Sequence, residues 1–304
     1  MAWLARLVLE KNSGMKNIMD AFAFSDALAM SQPSVSVLRP SVLKTLLVVA
    51  CPHAGRDYSP AFLKQSRLDL AALRRCEDAY VDEIFHATPQ FGGPLLQAHF
   101  PRVYCDVNRA AWELDPGMFS GRLPLESRTR TAKVRAGLGM IPRVAMAGKS
   151  IYRERLTVDE AYSRIENCWQ PYHENLQALM KEAMASFGCC VVLDVHSMPR
   201  LSRYQSPDIV LGDRHGTSCA PEIMSFIQSF LQNEGFSVTR NNPYAGGYVT
   251  EAYGKPASNV HVVQMEIARS LYMNEANLTL HENFWAFQSK MNEFIALLAQ
   301  AVSR

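Results

Sequence analysis

His53 follows the apolar run 46–51 in Cys51-Pro52-His53-Ala54-Gly55, and His196 closes Asp194-Val195-His196 at the end of the run that begins at Cys189. Glu266 stands in Gln264-Met265-Glu266, near the end of a third run, 261–267. Such runs read as buried strands, and open α/β sheets bind ligands beyond the carboxyl ends of their strands. Two imidazoles and a carboxylate there have the composition of a hydrolytic zinc site, in which metal brings the pKa of a bound water toward neutrality. Spacing alone leaves a plainer alternative for each histidine, a hydrogen-bonded residue in the turn after a strand.

The elements that must position these residues alternate along the chain. After the strand at 46–51 the pattern predicts an amphipathic helix over 67–85, a strand over 103–107 and a long helix over 157–187 with Asp159 and Glu160 in its first turn. The strand from Cys189 follows, then a helix over 219–233 and a short strand over 236–239. A loop carrying Asn241-Asn242-Pro243 and Gly246-Gly247 leads to the strand at 261–267 and a last helix over 280–302. Continuous apolar strands separated by helices predict a three-layer α/β/α architecture with a mainly parallel, mixed central sheet. Residues 110–155, rich in Arg, Gly and Pro, read as a long excursion over the sheet edge that shapes a pocket. Residues 1–38 read as an N-terminal extension, with Met15 as an alternative start, and residues 39–304 as one domain.

Composition excludes several classes. A chain of 304 residues, 48% hydrophobic and 20% charged, buries enough surface to fold, which rules out disorder. With 31 basic against 29 acidic residues no excess charge draws nucleic acid, and no apolar run approaches the roughly 20 residues of a membrane span. Seven cysteines without a C-x-x-C pair, and Arg6 and Glu10 within the first ten residues, point away from a disulfide framework and a signal peptide, toward the cytoplasm.

Nine blocks in order carry a more specific signal. They are P-H-A-G-R-D-Y, E-D-A-Y-V-D-E-I-F, Y-C-D-V-N-R-A-A-W-E-L-D-P, G-L-G-M-I-P-R, W-Q-P-Y-H, L-D-V-H-S-M-P, G-D-R-H-G-T-S-C, A-G-G-Y-V-T-E-A-Y-G and Q-M-E-I-A-R. Over residues 46–270 the chain resembles the N-formylglutamate amidohydrolase family. The resemblance implies a zinc carboxypeptidase-like (phosphorylase/hydrolase-like) fold and a mechanism in which metal-activated water attacks an amide beside a glutamate base.

The resemblance assigns His53 and His196 as the metal histidines. The glutamate of the carboxypeptidase H-x-x-E pattern is missing, since Arg56 stands three residues after His53. Asp78 and Asp82, i and i+4 on the expected helix, then compete for the third ligand position; Asp82 is favoured, with Asp78 orienting a ligand, and Asp57 is a weaker option. A solvated acidic face flanked by Glu77 and Glu83 is the alternative for the pair. Glu266 corresponds to the base, desolvated among Val262, Val263, Met265 and Ile267; its alternative is a buried ion pair with Arg269.

Asn108 and Arg109 correspond to the pair that grips a substrate carboxylate, a task suited to the planar guanidinium fork. A second carboxylate needs a second cation, for which Arg56, Arg143 and Arg214 are candidates. Tyr248, after the glycine pair, either closes over the substrate or packs against its own loop. His173 and His215 read as structural, and Ser197 lacks the elbow of a nucleophilic serine.

These readings converge on a cytoplasmic hydrolase that binds one zinc ion and cleaves a small N-acyl amino acid bearing carboxylates. The resemblance implies N-formyl-L-glutamate as substrate, giving formate and glutamate late in histidine breakdown. A deacylase or peptidase for another N-acyl amino acid, and a catalytically silent binding protein of the same fold, are the alternatives.

Overall fold

Val, Leu and Ile fill the runs around residues 47–51, 190–195 and 260–267, and branched side chains favour extended backbone with residues alternating between two faces. In the computed structural model, which describes residues 33–200 and 206–302, these runs form the centre of a seven-stranded sheet. Its strands are β1 (Val35–Leu38), β2 (Leu47–Cys51), β3 (Leu95–Ala98), β4 (Cys190–Met198), β5 (Ile209–Gly212), β6 (Val238–Arg240) and β7 (Val260–Ala268). They lie in the order β1-β3-β2-β4-β7-β5-β6. β2 runs parallel to β3 and β4, β4 to β7, and β5 to β6, while β1 against β3 and β5 against β7 are antiparallel. The sheet is therefore mixed and mainly parallel, as the alternation of elements predicts.

The helices are α1 (Pro60–Gln65), α2 (Leu70–Arg74), α3 (Val81–Ile84), α4 (Ala132–Arg135), α5 (Val158–Arg164), α6 (Gln170–Phe187), α7 (Pro221–Asn233), α8 (Tyr248–Tyr253) and α9 (Phe284–Val302). Strand alternation divides the core between them. Leu47, Val49, Val191, Leu193 and Val195 face a core closed by α7 and α9; Val48, Ala50, Val192 and Val262 face a second core closed by α6. By the same alternation Asp194, His196, Gln264 and Glu266 share one face, and the β4–β7 register sets Asp194 beside Gln264 and His196 beside Glu266. Four polar side chains are thus brought together by period alone.

The expected helix over 157–187 forms as α5, a π-helical turn (Ile165–Trp169) and α6, begun by a Thr157–Glu160 capping box and ended by Gly188 at φ 70°. Three expectations are corrected. Residues 67–85 form two short helices, α2 and α3, because Asp78 N–H donates to His53 O (3.0 Å) and Tyr80 adopts φ 64°, which breaks the helical ladder. Residues 103–107 form turns: Tyr104 and Cys105 N–H both reach Pro101 O, and Asp106 N–H reaches Met140 O (2.7 Å). The strand beside β2 is instead β3, a four-residue element after Gly92-Gly93-Pro94 that the pattern does not reveal. Val35–Leu38, read as extension, is an edge strand of the sheet; residues 1–32 lie outside the described residues.

Candidate active site

β2, β4 and β7 run parallel, so their carboxyl ends open on one side of the sheet. His53 leaves β2 there, His196 is on β4 and Glu266 on β7. Each imidazole is buried and held from both sides. His53 Nε2 lies 2.8 Å from Asp106 Oδ1 and its Nδ1 3.4 Å from Asp78 Oδ2; His196 Nε2 lies 3.0 Å from Asp194 Oδ2 and its Nδ1 3.0 Å from the same Asp78 oxygen. Both rings therefore turn Nδ1 toward Asp78 and Nε2 toward a separate carboxylate. Asp78 is anchored in turn by Arg269 Nη2 (3.3 Å) and Ser197 Oγ (3.3 Å).

Burial opposes ionisation of Asp78, yet the two imidazoles and Arg102 outweigh it and hold the carboxyl well below the usual range. Burial likewise opposes the His196 imidazolium, but Asp194, Asp78 and Glu266 override it and raise its pKa well above the ordinary value. At Glu266 the compensation is incomplete. Burial pushes its carboxyl up to about 7, against a downward pull from His196. Its Oε1 accepts a hydrogen bond from Gln264 Nε2 (2.8 Å), and Arg269 pairs with Asp78 instead, so the buried Glu266–Arg269 pair does not form.

The donor set fits a divalent metal ion. His53 Nδ1 is a buried nitrogen that makes no hydrogen bond among the described residues, and one ligand atom each from His53, Asp78 and His196 lie within 4.8 Å of one another. Two imidazole nitrogens and a carboxylate oxygen are a zinc-type set, with Asp106 and Asp194 on the far ring nitrogens fixing tautomer and orientation.

A cavity of about 530 Å³ opens over this group and is lined by His53, His196, Glu266, Asn108 and Arg109 among others. Asp106 holds the 108–109 turn by accepting Asn108 N–H (2.9 Å). Asn108 Oδ1 accepts Val249 N–H (2.9 Å), and its Nδ2 donates to Gln264 Oε1 (3.2 Å). Arg109 is pinned by Trp169 Nε1 on its carbonyl (2.9 Å) and by its own Nε on Leu138 O (2.9 Å). The 110–155 excursion lines the cavity with Lys133, Leu138 and Pro142, as its composition predicts.

Other expected residues fall elsewhere. Asp82 pairs with Arg56 (2.7 Å), and both line a separate depression with Asp57 and His99, so neither the Asp82 ligand nor the Arg56 anchor reaches the histidines. Asp78, not Asp82, lies beside the two histidines, because the broken helix turns the two aspartates apart. Arg143 pairs with Asp115 and Arg214 with Glu251. Tyr248 packs against Trp169 and His173 outside the cavity lining. Asp106, Asp194 and Arg102, whose Nη2 lies 3.0 Å from Asp106 Oδ2, carry no assignment from sequence. The Asp194-x-His196 parity could have marked one of them; Arg102 left no signal.

Fold and site first define a class: an α/β protein built on a mixed, mainly parallel sheet, with a buried His-Asp-His donor set and a glutamate at the carboxyl ends of its central strands. The chain belongs to the N-formylglutamate amidohydrolase family, whose model matches residues 45–273. It is similar to the crystal structure of N-formylglutamate amidohydrolase from Ralstonia eutropha JMP134, with 34% identity and a TM-score of 0.85 over 89% of this chain and 99% of that one. It is 28% identical to the N-formylglutamate deformylase of Pseudomonas aeruginosa over 75% of this chain and 82% of that protein. A protein from Agrobacterium tumefaciens, 16% identical with a TM-score of 0.65 over 91% of this chain and 99% of that one, shares the fold.

Proposed function

We propose that this chain hydrolyses N-formyl-L-glutamate to formate and glutamate, using a metal ion held by His53, Asp78 and His196. The observation that carries the reading is the convergence of both histidine Nδ1 atoms on one Asp78 oxygen, with both histidines lining the cavity that Glu266 also lines. A divalent ion such as zinc would supply there a Lewis acid for the formyl carbonyl and an acidified water.

The chain's own residues do the rest. Glu266, with Oε1 tied to Gln264, accepts the proton of the attacking water at its free oxygen and returns it to the amine nitrogen as the C–N bond breaks. A carboxyl that titrates near 7 suits both halves of that transfer. Arg109, oriented by Trp169 and Leu138, directs its outer N–H groups to a substrate carboxylate, so the formyl group is delivered in one pose. Asn108 supports that pose from the turn braced by Asp106 and Val249.

The reaction belongs to the late steps of histidine breakdown in a reducing cytoplasm, in keeping with seven cysteines that are all free thiols. Purified protein supplied with zinc is expected to release formate and glutamate in equal amounts from N-formyl-L-glutamate. Folded, metal-loaded protein that releases none would overturn the reading.

A further inference from the structure

N-formylglutamate carries two carboxylates, and the cavity does not spend its cations evenly. Arg102 and Arg269 line the wall but are committed to Asp106 and Asp78. Arg109 gives Nε and Nη1 to the carbonyls of Leu138 and Asn108 and keeps only its outer N–H groups. Lys133, exposed at the rim on α4, makes no hydrogen bond or ion pair through Nζ among the described residues.

One backbone unit joins Lys133 to Arg109. Leu138 N–H donates to Lys133 O (2.8 Å), and Leu138 O accepts from Arg109 Nε (2.9 Å). Thr131, which caps α4, hydrogen-bonds Glu113 and fixes the helix from its other end. Two cations thus line one wall of the cavity, Arg109 anchored and with Nη2 3.9 Å from Asp106 Oδ2, Lys133 with its ammonium free among the described residues. An unpaired ammonium beside a second cation at a cavity wall attracts an anion that enters the cavity.

We infer that Lys133 recognises the side-chain carboxylate of the substrate while Arg109 holds its α-carboxylate, so that Lys133 sets the preference for a dicarboxylate. This rests on the functional reading above. Partial desolvation and the charges of Arg109 and Arg102 lower the Lys133 pKa more than Asp106 and Glu113 raise it, and a bound carboxylate would add to the opposing side. Arg75, which also lines the cavity, belongs to the wall where its carbonyl accepts from Arg269 (3.0 Å), and it serves as the contrast.

The test compares N-formyl-L-glutamate with N-formyl-L-glutamine, which differs by one neutral amide, in wild type, Lys133→Met, Lys133→Arg and Arg75→Ala. Lys133→Met is expected to raise KM for the glutamate substrate by about 10-fold or more with little change in kcat, while leaving the glutamine reaction unaltered. Lys133→Arg recovers most of the loss, and Arg75→Ala leaves the ratio of kcat/KM for the two substrates as in wild type. Turnover of both substrates with an unchanged ratio in Lys133→Met, or a ratio moved by Arg75→Ala instead, overturns the inference alone. Wild type that turns over neither contradicts the functional reading and the inference with it.

Discussion

His53 and His196 stand edge to face, ring centroids 4.8 Å apart at 62°, and both aim Nδ1 at Asp78 Oδ2. This pairing orders the rest of the site. Each far nitrogen meets its own carboxylate, which fixes which ring nitrogen is free to bind, and the three donors meet where three parallel strands end.

The first consequence concerns the aspartates. Asp78→Asn is expected to lose bound metal, whereas Asp82→Asn, which only removes one of the two carboxylates paired with Arg56, retains it. Asp106→Asn keeps all three donors but loosens the His53 ring, lowering metal affinity by about 10- to 100-fold. Metal content after dialysis against a graded chelator checks all three, and greater loss from Asp82→Asn would return the ligand role to that residue.

Glu266→Gln keeps the shape and removes the proton acceptor, so kcat is expected to fall by about 10²- to 10⁴-fold with substrate and metal bound nearly as before. A protonated Glu266 cannot accept a proton, so wild-type kcat/KM falls as pH drops below the carboxyl's pKa of about 7. A cation in the site favours the carboxylate and moves that limb to lower pH. The pH profile of the residual rate in Glu266→Gln lacks this limb; an identical limb in both proteins would assign it to another group.

Gly247 is a glycine for a steric reason. A Cβ there would stand 2.4 Å from both Asn108 Nδ2 and Oδ1, atoms already fixed by Gln264 and Val249. Gly247→Ala is expected to displace Asn108 and the attached Arg109, with a loss on the order of 10²-fold in kcat/KM and an intact fold by circular dichroism. Unchanged kinetics would show that Asn108 has room to move.

His173 titrates in a different window. It is buried, accepts from Tyr253 Oη at Nδ1 (2.9 Å) and donates through Nε2 to Val107 O (2.9 Å), and burial lowers its pKa to about 4. The unfolded chain binds a proton there near pH 6.5 and the folded chain does not, so stability is full above about 6.5 and declines as pH falls toward 4. Between pH 7 and 5 wild type is expected to lose about 2 kcal/mol more than His173→Gln in urea unfolding. Equal losses would show that His173 takes up its proton without unfolding.

Much of this arrangement is legible in the sequence. Alternation along 190–198 and 260–268 places Asp194, His196, Gln264 and Glu266 on one face, because strand period is local. The third donor is less accessible. The i,i+4 spacing of Asp78 and Asp82 describes a helix that a tertiary bond, Asp78 N–H to His53 O, prevents. Asn108 and Arg109 reach the cavity without the strand expected before them, held by Met140, Trp169 and Val249 from distant parts of the chain. Tyr248, beside a glycine pair that reads as a lid, is packed on His173 and Trp169 instead.

The most direct test of the account is the metal content of the purified protein together with formate release from N-formyl-L-glutamate before chelation, after it, and after zinc is restored. The account predicts one divalent ion per chain, loss of ion and activity together, recovery of both with zinc, and no recovery in His53→Ala or His196→Ala. Full formate release from protein stripped of metal would contradict it.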